Sequence, residues 1–272
     1  MAAEDFTNKT YIITGGFSGI GLAVVKTLFT NGATIHAIDK AHDFPADQIT
    51  TDKTALEQRL FTYPGVDVSS RDRVSETFTT ILERTPIVDG IVNSAGIAPL
   101  PESADPIESD ERFERIMGVN MRGTWNVATA YFRHVLDRTT STTINNQDSG
   151  SGAVPEGIGS VVNIASTGAM HAFPGMTTYC ASKHAVLGLT RSWAKDFGPR
   201  GVRVNCVAPG GTETNISGEL VPAVIKAYTS MVPLGRLARA QEVAEVVGFL
   251  LSARAGFVNG QMVPVEGGTY SF

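Results

Sequence analysis

Cysteine is scarce in this chain: two of 272 residues, Cys180 and Cys206. The pair lacks metal-ligand spacing and cannot form a disulfide framework, so both read as reduced, small core residues. Runs of Lys or Arg are missing too, and the net charge is −5, which gives nucleic acid nothing to bind. No stretch reaches the roughly eighteen apolar residues of a membrane span. The first residues, "MAAEDFTNKTYIITGG", carry acids where a signal peptide needs bases. Together these absences predict a cytoplasmic protein with no membrane or nucleic-acid partner. His171 and His184 have no carboxylate or cysteine partner at ligand spacing, so no metal is expected.

What is present is an ordinary globular composition, 42% hydrophobic and 18% charged. Short β-branched runs such as "TYIIT", "ATIHAID", "GSVVNIAS" and "VRVNCVAP" alternate with longer amphipathic ones such as "GIGLAVVKTLFTNG" and "QEVAEVVGFLLS". That alternation implies βαβ crossovers: an α/β fold with a Rossmann-type, doubly wound parallel sheet, helices on both faces, and residues 1–272 as a single domain. Two segments break the rhythm. The polar, aperiodic stretch 138–159 predicts a mobile surface loop between a helix and a strand. The Gly- and Pro-bracketed stretch 210–236 predicts one or two short helices between hinges, built as a lid over a site.

The turn "TGGFSGIG", Thr14 to Gly21, follows the first strand and opens the first helix. Gly15, Gly19 and Gly21 permit a tight turn and close approach of the backbone to a pyrophosphate at the helix N-terminus. Asp39 ends the next strand, eighteen residues past Gly21, near the offset at which a carboxylate binds an adenosine ribose. That acid would repel a 2′-phosphate, so NAD is expected over NADP, although Lys40 follows it directly. Asp67 is placed to reach adenine from the third strand, or to serve as a helix N-terminal acid. In "YCASK", Tyr179 and Lys183 stand one helical turn apart. At an effective dielectric of about 20, a cation about 4 Å away gains about 4 kcal/mol with a phenolate and pulls the phenol toward neutrality. Alone, the pair reads more readily as a core tyrosine beside a surface lysine.

The glycine turn, "NSAG" at Asn93 to Gly96, "GVN" ending at Asn120, "NIAS" ending at Ser166, YxxxK at Tyr179 and Lys183, and "APG" at Ala208 to Gly210 together resemble the short-chain dehydrogenase/reductase family, in its order and nearly its spacing. The resemblance implies an NAD(P)-dependent oxidoreductase moving a hydride between the cofactor and a secondary alcohol or ketone. It makes Tyr179 the general acid/base and Lys183 its modulator and a holder of the nicotinamide ribose. Ser166 becomes a donor to the substrate oxygen, and Asn120 holds water in a proton relay. Cofactor contacts then fall on Gly15, Phe17, Ser18, Gly19, Ile20, Gly21, Asp39, Asp67, Val68, Asn93, Ala95, Gly96, Tyr179, Lys183, Pro209, Gly210, Thr212 and Thr214, the last on the carboxamide. His171 and Phe173 are candidate substrate contacts on the loop into the YCASK helix. Ser94 stands where the family usually has a second asparagine, a swap that should keep the turn.

The family also implies a homodimer or homotetramer, and the broad apolar spread of the helices near 113–136 and 179–197 agrees with that. A non-redox dinucleotide-binding regulator or scaffold on the same fold is the rival class. It has no need of Ser166, Tyr179 and Lys183 together. An isomerase or cyclase that uses bound cofactor without net turnover would keep the same residues.

Overall fold

Strand β1 (Thr10–Thr14) is buried at every position, as a strand covered on both faces must be. In the computed structural model, which describes residues 5–98, 107–145, 157–214, 216 and 222–270, β1 is an interior strand of a seven-stranded sheet, third from one edge. The strands β2 (Thr34–Ile38), β3 (Leu60–Tyr63), β4 (Gly90–Asn93), β5 (Gly159–Ile164), β6 (Val202–Pro209) and β7 (Met262–Val265) give the order β3-β2-β1-β4-β5-β6-β7. Every pairing is parallel. This is the doubly wound, single-domain sheet expected from the alternating pattern.

Register decides which side chains meet on each face. Ile12, Ile91, Val161 and Val204 stand opposite one another across four strands, and Ile13, Val92 and Val162 form the adjacent row. Because strand side chains alternate between faces, the two rows point to opposite sides and found two separate cores. The first row packs against α3 (Arg71–Arg84), α5 (Thr124–Asn145) and α6 (Thr177–Phe197) through Phe78, Tyr131 and Trp193. The second packs against α1 (Gly19–Thr30) and α8 (Ala240–Leu251) through Leu28 and Leu250. Short helices α2 (Lys53–Arg59), α4 (Asp110–Met117) and α7 (Pro222–Thr229) complete the set. Both cysteines are buried and free.

One expectation needs adjusting. The polar stretch expected to be a loop from 138 is helical through Asn145, as the continuation of α5. Once a helix is nucleated, each added residue gains a hydrogen bond, and Thr hydroxyls can bond back one turn, as Thr129 does to Trp125 O. Residues 146–156 of that stretch lie outside the described residues. In the 210–236 segment the structure supplies one short helix, α7, while Gly218 and Leu220 lie outside the described residues. Ile216 and Met231 are 47% and 62% exposed, so neither belongs to a sheet core. No helix among the described residues is long and apolar enough to cross a membrane.

One polar side chain interrupts the first row. His36 pairs with Ile12 in register and is fully buried, with Nδ1 2.9 Å from Tyr63 Oη and Nε2 2.9 Å from Thr85 Oγ1. Burial, aided by the Arg84 charge, lowers its pKa to about 4. The folded state thus holds a neutral ring that the unfolded chain protonates near pH 6.5. Its stabilisation is complete above that value and is lost as the pH falls toward 4. Between pH 7.5 and 4.5 this linkage is worth about 2.5 kcal/mol. Urea unfolding at the two pH values should show that the loss of stability on acidification shrinks by about this amount in His36→Val. An equal loss in both proteins would remove His36 from the account.

Candidate active site

From β1 the chain runs outward to β2 and β3, then returns to place β4 on the other side of β1. Such a reversal opens a crevice at the C-terminal strand ends. A cavity of about 740 Å³ lies there. At its floor, Gly15 has φ +64°, and a Cβ would stand 2.9 Å from Ala95 Cα. At Gly21 a Cβ would stand 2.0 Å from Gly15 O, so the turn closes on itself with room only for hydrogen. This is a cradle for a phosphate group, and α1 begins inside it with no side-chain cap of its own.

Asp39 completes the cradle. Its Oδ2 accepts from Phe17 N at 3.0 Å and its Oδ1 from Ala41 N at 3.0 Å, which fixes the carboxylate at the cavity edge. Lys40 turns away to Asp67, 2.9 Å from Oδ2. Burial pushes the Asp67 carboxyl up, but hydrogen bonds from Ser69 and Lys40 outweigh it and hold the group below the usual carboxylate range.

Most residues expected at the site line this one cavity. Gly15, Ser18, Gly19, Ile20, Gly21, Asp39, Asp67, Val68, Ala95 and Gly96 line one half. Ser166, Phe173, Tyr179, Lys183, Pro209, Gly210, Thr212 and Thr214 line the other. Thr214 packs its methyl group toward Gly19, joining the root of the 210–236 segment to the turn.

Four expected residues stand outside it. The Phe17 ring is buried edge-on against Phe44 at 5.1 Å, and only its backbone serves the turn. Asn93 donates to Asn163 Oδ1 at 2.8 Å within the sheet. His171 stacks on Tyr270 at 3.9 Å instead of facing the cavity. Asn120 sits in a π-helical turn, Gly118–Gly123, between α4 and α5. Its amide is bonded to Ile97 N, Ile97 O and Ser182 Oγ at 2.8, 3.0 and 3.0 Å. Gly96 separates it from Lys183: a Cβ there would stand 3.4 Å from both Asn120 Oδ1 and Lys183 Nζ.

Sequence reasoning missed the apolar wall formed by Ile97, Ala98, Met176, Ile225, Tyr228 and Leu237. Only Met176, three residues before Tyr179, had a positional signal. Ile225 and Tyr228 sit on α7, inside the segment expected to be a lid, while Ile97, Ala98 and Leu237 come from loops whose folding no local pattern encodes.

Ser166, Tyr179 and Lys183 converge at this wall. Ser166 lies two residues past the end of β5 and its Oγ accepts from Gly168 N at 3.0 Å. Tyr179 and Lys183 occupy one stripe of α6, both buried. The lysine donates to Ile164 O at 2.9 Å and lies 5.8 Å from the tyrosine ring centroid. Burial lowers the lysine pKa to about 8. Burial also raises the tyrosine above its ordinary value, against a weaker downward pull from the hydrogen bond with Ser166. This corrects the sequence-based expectation of a depressed tyrosine. The amine donates to Ile164 O, and desolvation of the phenolate dominates.

Comparison with known proteins agrees with the fold. The family model described as enoyl-(acyl carrier protein) reductase matches residues 15–270. The chain is 30% identical over 260 residues to the 3-oxoacyl-(acyl-carrier-protein) reductase of Thermotoga maritima, across 96% of this chain and 97% of that one. Gluconate 5-dehydrogenase from Burkholderia cenocepacia, solved with NADP and tartrate, superposes with a TM-score of 0.78 at 28% identity, covering 97% of this chain and 96% of that one. Carveol dehydrogenase from Mycobacterium avium, solved with NAD, gives 0.81 at 25% identity, covering 98% and 99%.

The glycine cradle is directly testable. Gly21→Ala must displace the Gly15 carbonyl, so it should lower stability by about 3 kcal/mol or more and weaken dinucleotide binding at least tenfold. Thermal unfolding and fluorescence titration with NADH measure both. Parent-like values for this variant would show that the turn is not closed as described.

Proposed function

The chain belongs to the short-chain dehydrogenase/reductase family and is a nicotinamide-dependent oxidoreductase; from that premise we propose that it interconverts a secondary alcohol and a ketone with Tyr179 as proton donor and acceptor. The observation that carries this reading is the convergence of Ser166, Tyr179 and Lys183 at the apolar end of the dinucleotide-sized cavity. When bound, the nicotinamide supplies or takes the hydride. The glycine cradle and Asp39 would hold the pyrophosphate and adenosine ribose, Asp67 and Val68 the adenine, and Lys183 the nicotinamide ribose.

The protein's own groups manage the proton. A raised pKa keeps Tyr179 in its phenol form near neutrality, the state that donates to a ketone oxygen. Ser166 stabilises the same oxygen as charge develops on it, an effect worth about 3 kcal/mol for such donors. Asn120, held rigidly beside Gly96, would order water next to the lysine. Ala98, Phe173 and Met176 cluster against Tyr179 and favour an apolar, mid-sized substrate.

NAD is the favoured cofactor, because the Asp39 carboxylate faces the position of a 2′-phosphate and Lys40 is engaged with Asp67. Solved relatives hold either dinucleotide, which makes Asp39 the discriminating group here. The 210–236 segment acts as the lid, with Thr214 at its root bonding the carboxamide. We further assign the protein to the cytoplasm as a homodimer or homotetramer joined through α5 and α6. On α4 and α5, Phe113 and Trp125 are 45% and 44% exposed.

A fluorescence screen of NADH consumption across steroid, terpenoid, sugar and acyl ketones identifies the substrate. Tyr179→Phe should then cut turnover at least a hundredfold with NADH affinity within twofold of the parent. Turnover within tenfold would remove Tyr179 from the proton path. In dissociation constants, Asp39→Ala should shift the NAD:NADP preference at least tenfold toward NADP. Tighter NADP binding by the unmutated protein would overturn the NAD assignment.

A further inference from the structure

Helix α6 carries Tyr179 and Lys183, yet its own sequence does not cap it. Its N-cap position is Met176, which offers no side-chain acceptor. The first backbone N–H groups of a helix have no partner inside it and need one from elsewhere. Here the partner comes from 70 positions upstream: Glu108 Oε2 accepts from Thr178 N at 2.8 Å and also from Thr178 Oγ1. Glu108 precedes α4, and its other oxygen accepts from Arg112 Nε at 3.2 Å. The side chains of Arg112 and Glu108 are 5% and 12% exposed, so solvent screens this pair little. Burial pushes the Glu108 carboxyl up, but the Thr178 and Arg112 contacts overcome that and keep it below its ordinary range.

We infer that Glu108, held by Arg112, is a positioning residue for the proton donor: it caps α6 from another element one residue before Tyr179. The inference rests on Tyr179 being that donor. Loss of the cap frees the first turn of α6 to fray, and that turn bears the phenol. Lys183 lies one turn further in, anchored independently through Ile164 O. The expected signature is therefore a split, with hydride transfer impaired and dinucleotide binding spared. A carboxylate also complements the positive end of the helix dipole, but the hydrogen-bond acceptor matters most. Glutamine keeps an acceptor oxygen at the same reach, whereas alanine keeps none.

Three proteins test this: the parent, Glu108→Ala and Glu108→Gln. Hydrogen exchange of the segment 177–183 reports the cap without any substrate. We expect exchange at least tenfold faster in Glu108→Ala and within threefold of the parent in Glu108→Gln. Single-turnover reduction of a ketone from the screen, with NADH, should be slowed ten- to a hundredfold in Glu108→Ala, with the NADH dissociation constant within twofold, and largely restored in Glu108→Gln. Unchanged exchange in Glu108→Ala would overturn the capping assignment. Turnover and NADH affinity falling together, without rescue by glutamine, would reduce Glu108 to a stability residue and overturn positioning. A parent that reduced no ketone, with exchange still dependent on Glu108, would overturn the alcohol–ketone reading and leave the cap supported.

Discussion

The site depends on burying an amine and a phenol one turn apart on a single helix. Desolvation acts on the two in opposite directions, lowering Lys183 to about 8 and raising Tyr179. Both shifts favour the neutral form, so two groups of ordinarily similar proton affinity are driven apart, with the amine the easier of the two to deprotonate. A surface pair at the same spacing would be screened and would titrate near its ordinary values. In the proposed reaction the cavity's apolar wall would therefore shape the proton chemistry as well as receive the substrate.

Such burial requires the helix to be held in place, and polar ties do this along α6. Glu108 takes the first turn at Thr178, Asn120 bonds Ser182, and Ile164 O takes the Lys183 amine. Further along, Asn163 Nδ2 donates to Thr190 Oγ1 at 2.9 Å while Asn163 accepts from Asn93, which joins β4, β5 and α6. Asn93 and Asn120 thus act through the frame on which Tyr179 and Lys183 stand. The Asn120 amide is committed to hydrogen bonds inside the protein, as buried amides usually are, whereas Asn93 donates to Asn163 while its own buried Oδ1 accepts from no protein group among the described residues.

Much of this was legible in the sequence because it is encoded locally. The β-branched runs name the strands, the Gly15–Gly21 turn names the cradle, and the four-residue spacing of Tyr179 and Lys183 names the catalytic stripe. What stayed hidden depends on contacts far apart in sequence. No local signal links Glu108 to Thr178, or brings Ile225 and Leu237 to the wall beside Met176. His171 pointed to substrate by its nearness to Ser166, but Tyr270, at the far end of the chain, captures its ring. The spacing of Tyr179 and Lys183 was read correctly and their electrostatics were not, because spacing does not report burial. Residues 139–143, four threonines and a serine, looked like a loop by composition and continue α5 instead.

The most direct test of the account is the pH dependence of the two reaction directions, measured by single turnover with the ketone and alcohol found in the screen. A tyrosine raised above its ordinary pKa is a phenol throughout the range from pH 6 to 8, so ketone reduction should be flat there. Alcohol oxidation needs the phenolate, whose fraction climbs about tenfold per pH unit below the pKa. Oxidation should rise at that slope. An oxidation rate independent of pH over the same range would mean that the proton acceptor is already ionised, and would contradict the claim that burial governs Tyr179.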